Sequence, residues 1–124
     1  MNQLVLVALG GAAGAVLRFI LQNATAASLG RSFPFGTLLV NVSGSLLIGV
    51  LYVYSMERAG DDAAWRALIV VGFLGALTTF STFSLETLQL LEAGALGRAV
   101  VNITLNVGLC LFACWMGLIL ARQL

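Results

Sequence analysis

Four long apolar runs decide what this chain can become. They cover roughly residues 4–21, 35–54, 65–91 and 99–120, most of its 124 positions. A helix needs about 20 apolar residues to cross a bilayer. Closed β-barrels are the other spanning form, but their strands alternate apolar and polar residues. Stretches such as 46–53 and 67–77 are apolar in succession instead. The sequence therefore reads as an all-α integral membrane protein, one domain over 1–124 with four transmembrane helices per subunit. Composition agrees: 60% of residues are apolar, 9% are charged and none is histidine. Such a chain cannot cover a water-facing surface with polar groups, and it is too apolar to stay disordered. Six basic residues stand against five acidic ones with no basic run, which argues against nucleic-acid binding. The segment Met1-Asn2-Gln3 has no basic side chain ahead of the first run, so that run is not read as a cleaved signal peptide.

The loop charges carry the next constraint. One side of the membrane would hold both termini and the 56–64 loop, with Arg58, Arg66 and Arg122. The other would hold Arg31 and Arg98, with Arg18 placed near it at the end of the first helix. Orientation normally follows an excess of Lys and Arg on the cytoplasmic side. Three against three leaves no excess, so the chain is expected to insert both ways. Two oppositely inserted copies would form an antiparallel homodimer with its two-fold axis in the membrane plane. Small residues at helical spacing suit close helix contact: Gly10 and Gly14, Gly11 and Ala15, Ser45 and Gly49, Gly72 with Gly75.

Polar residues inside the runs are costly and mark function. Thr37, Asn41 and Ser45 recur every four residues and share a helix face. Asn102, Asn106 and Cys110 do the same in the fourth run. The third run holds Thr78-Thr79-Phe80-Ser81-Thr82-Phe83-Ser84, followed by Glu86. Gly72, Gly75 and these hydroxyls weaken the helix, and a break is expected within 75–79. A break frees backbone carbonyls at membrane depth, where they suit a hard cation. Cys110 and Cys114 read as small apolar helix residues; without a CxxC or any histidine they make no zinc site.

This inventory suits a small anion. Asn41, Asn106, Thr37, Ser81 and Thr82 offer neutral donors. Phe80 and Phe83, three apart, offer electropositive ring edges. Glu86 is the one internal acid, where a proton-coupled carrier would show a relay of them. No nucleophile has a His or Lys base beside it, so no enzyme is read.

The residues just named resemble the Fluc/CrcB family of bacterial fluoride channels. The matches are Gly10-Gly11-Ala12-Ala13-Gly14-Ala15 with Arg18-Phe19, then Gly36-Thr37-Leu38-Leu39-Val40-Asn41, and the run from Gly72 through Ser84 with Glu86. The resemblance implies a passive, fluoride-selective channel of the bacterial inner membrane, exporting fluoride through two pathways of a dual-topology antiparallel homodimer. It implies a structural sodium ion on the dimer axis, held by the Gly75 and Thr78 carbonyls at the third-helix break. Phe80 and Phe83 would line each pathway with Asn41, and Thr37, Ser81, Thr82 and Glu86 would lie near it. Arg18 matches the family's vestibule arginine. The sequence departs at Ala76, where a second glycine is frequent, and at Cys110, where serine often stands; Asn102 and Asn106 are available to compensate. The competing readings are a proton-coupled anion antiporter, resting on Glu86, and a small multidrug-type dual-topology exporter, which would need an acid in the first helix.

Overall fold

The computed structural model describes residues 2–58, 60 and 62–124. The elements follow the four apolar runs. Helix α1 is Gln3–Leu29 and α2 is Phe35–Arg58. Helix α3 covers 63–77, α4 is Phe80–Glu92 and α5 is Leu96–Gln123. No strand occurs among the described residues. The 63–92 stretch, like each of α1, α2 and α5, is long and apolar enough to cross a membrane. Much of the outer surface is leucine, valine, isoleucine and phenylalanine, exposed as a lipid-facing surface requires.

Helix α1 outlasts its apolar run. Residues Asn23-Ala24-Thr25-Ala26-Ala27 are less apolar than what precedes them, but alanine is the best helix former. The helix stops only at Gly30, whose φ of +81° favours a residue without Cβ. The end-of-helix position expected for Arg18 is therefore corrected: Arg18 lies in the interior of α1. Hydropathy marks where lipid contact fades, not where hydrogen bonding ends.

Two close pairings build the bundle. Helix α1 runs along α3, and α2 along α5. In the first pair, a Cβ on Gly10 would strike the Leu68 carbonyl, and one on Gly14 the Phe73 carbonyl. In the second, a Cβ on Gly49 would strike the Cys114 carbonyl, and one on Gly117 the Leu46 carbonyl. These glycines let backbones touch, as membrane helices require when no hydrophobic drive joins them. Gly11 and Gly75 face more open space. A small core of Val40, Leu74 and Leu77 fills the centre, with Leu17, Leu21, Leu51 and Phe73 around it.

Two stretches wind more widely than an α-helix. Val53–Arg58 and Arg66–Leu74 have π-helical turns. Trp65 Nε1 donates to Ser55 Oγ at 2.9 Å and ties the two together. At this end Arg122 pairs with Glu57 at 2.8 Å, and Arg58 donates to the Ala121 carbonyl at 2.7 Å. At the opposite end Arg98 reaches the Ser32 carbonyl at 3.4 Å.

Candidate functional site

Between α3 and α4 the chain leaves helical geometry. Thr78 (φ −84°, ψ 158°) and Thr79 (φ −153°, ψ 118°) are extended. In a continuous helix the Thr79 N–H would close on the Gly75 carbonyl. Here it donates to Asn41 Oδ1 at 2.8 Å, while Asn41 Nδ2 donates to the Thr79 carbonyl at 3.1 Å. The side-chain amide of α2 thus pairs with both backbone groups of one residue, as a neighbouring strand would. Unpaired, those groups would be expensive at membrane depth.

Thr79 also starts the next helix. Its hydroxyl accepts from the Thr82 N–H at 3.1 Å, the N-cap bond that satisfies an orphan donor of the first turn. The same hydroxyl donates to Thr82 Oγ1 at 3.0 Å and lies 3.4 Å from Ser81 Oγ. The Thr78 hydroxyl turns back to the Leu74 carbonyl at 3.0 Å. Gly44 makes room for Thr78: a Cβ there would collide with the Thr78 methyl.

The sequence-derived residues gather in two neighbouring places. The first is a cleft of about 430 Å³ between the end of α1, the 30–36 connection and α4. Gln22, Arg31, Thr37, Thr82 and Glu86 line it. Thr37 donates to Glu86 Oε1 and accepts from Gln22 Nε2 at 3.1 Å. The second is an open groove of about 470 Å³ lined by Thr79 itself with Asn41, Ser45, Gly75, Thr78, Phe80, Phe83, Asn106 and Cys110 among others. The Phe80 and Phe83 rings touch at 5.4 Å between centroids, tilted by 58°. Their surroundings differ: Phe83 is 8% exposed within the chain, whereas Phe80 is 77% exposed.

Two sequence-derived residues lie apart from both places. Ser81 is exposed beside the Thr79 hydroxyl. Arg18 lines neither space; its Nη1 makes a long 3.5 Å contact with the Thr78 carbonyl. Asn106 is buried and tied to α2, its Oδ1 accepting from Asn41 Nδ2 at 3.0 Å. Both Asn41 amide hydrogens are thus engaged inside the chain. An anion at Asn41 must take over one of these donors.

The structure gives roles to three residues that the sequence reading did not assign to the site, Thr79 being named there only within the 78–84 run and the expected break. Gln22 follows Arg18 by one turn and shares its face, a pattern visible in the sequence. Thr79 stands three residues before Thr82, the spacing of an N-cap and its partner. Thr87 stands one turn after Phe83 and donates to its carbonyl at 2.7 Å. It was hidden because a single threonine outside the 78–84 run, between Glu86 and Leu88, has no signature of its own.

Chemically, the cleft and groove offer amide and hydroxyl donors, the Arg31 guanidinium, ring edges and one carboxylate, with the extended 78–79 segment lining the groove. Comparison with known proteins agrees with that inventory. Residues 5–118 match the model of the CrcB-like protein, Camphor Resistance (CrcB), family. A protein of Methylococcus capsulatus named fluoride-specific ion channel FluC is 57% identical over 95% of this chain, which spans about half (52%) of that relative's length. Proteins of the same name from Coxiella burnetii and Pseudoalteromonas translucida are 46% and 52% identical, over 96% and 95% of this chain and 97% and 98% of their own. With the match running from the first turns of α1 almost to the end of α5, through every residue of the cleft and groove, this chain belongs to the CrcB-like family.

Proposed function

We propose that this protein is a passive fluoride channel of the bacterial inner membrane. One observation carries the reading: neutral donors and two phenylalanine rings meet in adjoining spaces whose charged lining residues are Arg31 and Glu86. Small anions need donors to replace their water. Neutral donors and ring edges hold an anion weakly enough for it to leave, as conduction requires. The relatives named as fluoride-specific channels support the same solute.

The pathway runs from the cleft, past Thr37, Thr82 and Glu86, into the groove with Asn41, Asn106, Phe80 and Phe83. Arg18 and Ser81 flank it. The groove is open along one side, and a second copy inserted in the opposite orientation covers it. The third span of each copy is interrupted at mid-depth, and the two copies together give two pathways per antiparallel homodimer. Phe80, exposed on the single chain, becomes a buried wall there.

The carbonyls of Gly75 and Thr78 fit a structural sodium ion. The Gly75 carbonyl has lost the Thr79 N–H to Asn41. The Thr78 carbonyl keeps a second lone pair beyond the Arg18 contact. Both residues line the groove, so two copies would present four such oxygens. When bound, the ion supplies a fixed positive charge that offsets the carbonyl dipoles of both chains.

Passive flow suffices for export. Neutral hydrogen fluoride enters from acid surroundings and ionises inside. An inside-negative potential then drives the anion out with about 2.3 kcal/mol per 100 mV. The test is efflux from liposomes holding the purified protein. Fluoride should leave rapidly and chloride should not; equal release of both, or release that follows the proton gradient, overturns the reading.

A further inference from the structure

A chain of side chains, buried at Thr87, Asn102 and Asn106 and half-buried at Asn41, runs from α4 across α5 to α2. The Thr87 hydroxyl donates to the Phe83 carbonyl at 2.7 Å. Asn102 Nδ2 donates to Thr87 Oγ1 at 2.9 Å. Asn106 Nδ2 donates to Asn102 Oδ1 at 2.9 Å and to the Asn102 carbonyl at 3.0 Å. Asn41 Nδ2 then donates to Asn106 Oδ1 at 3.0 Å. Asn102 is 0% exposed, and Thr87 and Asn106 are buried as well. Neither Asn102 nor Thr87 lines the cleft or the groove.

The order of donors in this chain is not free. An amide side chain can be turned end for end, and its partners decide which end faces where. Both termini here are backbone groups with one role each. The Phe83 carbonyl can only accept, and the Thr87 hydroxyl spends its hydrogen on it, which leaves the hydroxyl oxygen for Asn102. That sets the Asn102 amide, which sets Asn106, which presents an oxygen to Asn41. At the far end the Thr79 N–H can only donate, so Asn41 must present Oδ1 to it. The two anchors demand the same orientation of Asn41.

We propose that Asn102 and Thr87 are positioning residues that hold the Asn41 amide in the orientation clamping Thr79, and through it the Phe80–Phe83 pair. The inference rests on the channel reading above. Without Asn102 Oδ1, only the Asn102 main-chain carbonyl still receives Asn106 Nδ2, so the Asn106 amide is held less firmly and can turn to present nitrogen to nitrogen at Asn41. Asn41 must then turn away from the Thr79 N–H or leave a buried donor without a partner. Either course loosens the start of α4, where both rings stand.

The test uses Thr87→Val, Asn102→Leu, their double variant and Thr87→Ser in the full chain. Fluoride efflux from liposomes is measured per folded protein, with Thr79 amide hydrogen exchange followed by NMR in micelles. Each single change should lower efflux about tenfold, equivalent to ~1.4 kcal/mol, and speed Thr79 exchange. The double variant should be no worse than the more severe single, because both cut one path. Thr87→Ser keeps the hydroxyl and should stay within about twofold of wild type on that same scale. If Asn102→Leu yields no folded protein, the Thr87→Val and Thr87→Ser pair decides. Wild-type efflux in the valine variant, unchanged Thr79 exchange, or multiplied losses in the double variant overturns the inference alone. Absence of fluoride efflux from the wild type overturns the channel reading and this inference with it.

Discussion

At the scale of single residues, the phenylalanine pair shows how one motif divides its work. Phe80 and Phe83 are three apart and in ring contact, yet Phe83 is enclosed by its own chain and Phe80 is not. Packing and ion contact therefore have separate signatures. Phe83→Leu leaves a defect in the folded chain and should cost about 1–2 kcal/mol of stability. Phe80→Leu should cost the single chain little. If ring edges face the anion, both changes should cut fluoride efflux strongly. Methionine should do less harm than leucine, since its polarizable thioether partly replaces the edge. Efflux per folded protein in liposomes checks this: normal flux in both leucine variants would assign the rings to packing alone.

Among the elements, close approach of backbones decides how helices sit. The α2–α5 seam depends on Gly49 and Gly117, where added Cβ atoms meet carbonyls rather than flexible side chains. Such neighbours cannot swing away. Gly49→Val should therefore push α5 outward and cost about 3 kcal/mol, the upper end of overpacking penalties. It should also separate Asn106 from Asn41, since these residues hydrogen-bond across the same seam. Gly108 and Gly97, with nothing near their Cβ positions, provide controls on α5. Gly108→Ala should leave the melting temperature in detergent unchanged or slightly raised, because alanine favours a helix over glycine. Equal melting of Gly49→Val and Gly108→Ala would refute the seam as a constraint.

For the whole molecule, orientation in the membrane is the open quantity, and the structure sharpens its arithmetic. Arg122 is paired with Glu57, and Arg58 caps the Ala121 carbonyl at the same end. Arg98 contacts Ser32 at the other end. Arg18, counted from the sequence toward that second end, lies in the interior of α1 against Thr78. A half-buried arginine inside a span weighs less in the inside-positive balance than one in a loop. The remaining difference is small, so C-terminal tags should be found on both faces of the membrane in comparable amounts. Two lysines added to the 93–95 connection should bias insertion and reduce efflux, because one orientation alone cannot build an antiparallel pair. Tags confined to one face in the unaltered protein would exclude dual insertion.

The membrane class, the four spans and the family were all legible in the sequence, because hydropathy sums along a segment and the run from Gly72 to Ser84 is distinctive on its own. Spacing also showed that Thr37, Asn41 and Ser45 share a face. It could not show which neighbour that face meets. Only the packed bundle, with α1 pressed on α3 and α2 on α5 through glycine contacts, decided that Thr37 bonds Glu86 and Asn41 bonds Thr79. That α1 continues past its apolar run, with Arg18 in its interior, follows from the helix propensity of 23–27, which hydropathy does not register. The reason the pairings needed the bundle is geometric: a helix's periodicity gives its faces up to rotation and depth. Those two freedoms are removed only when another helix packs against it.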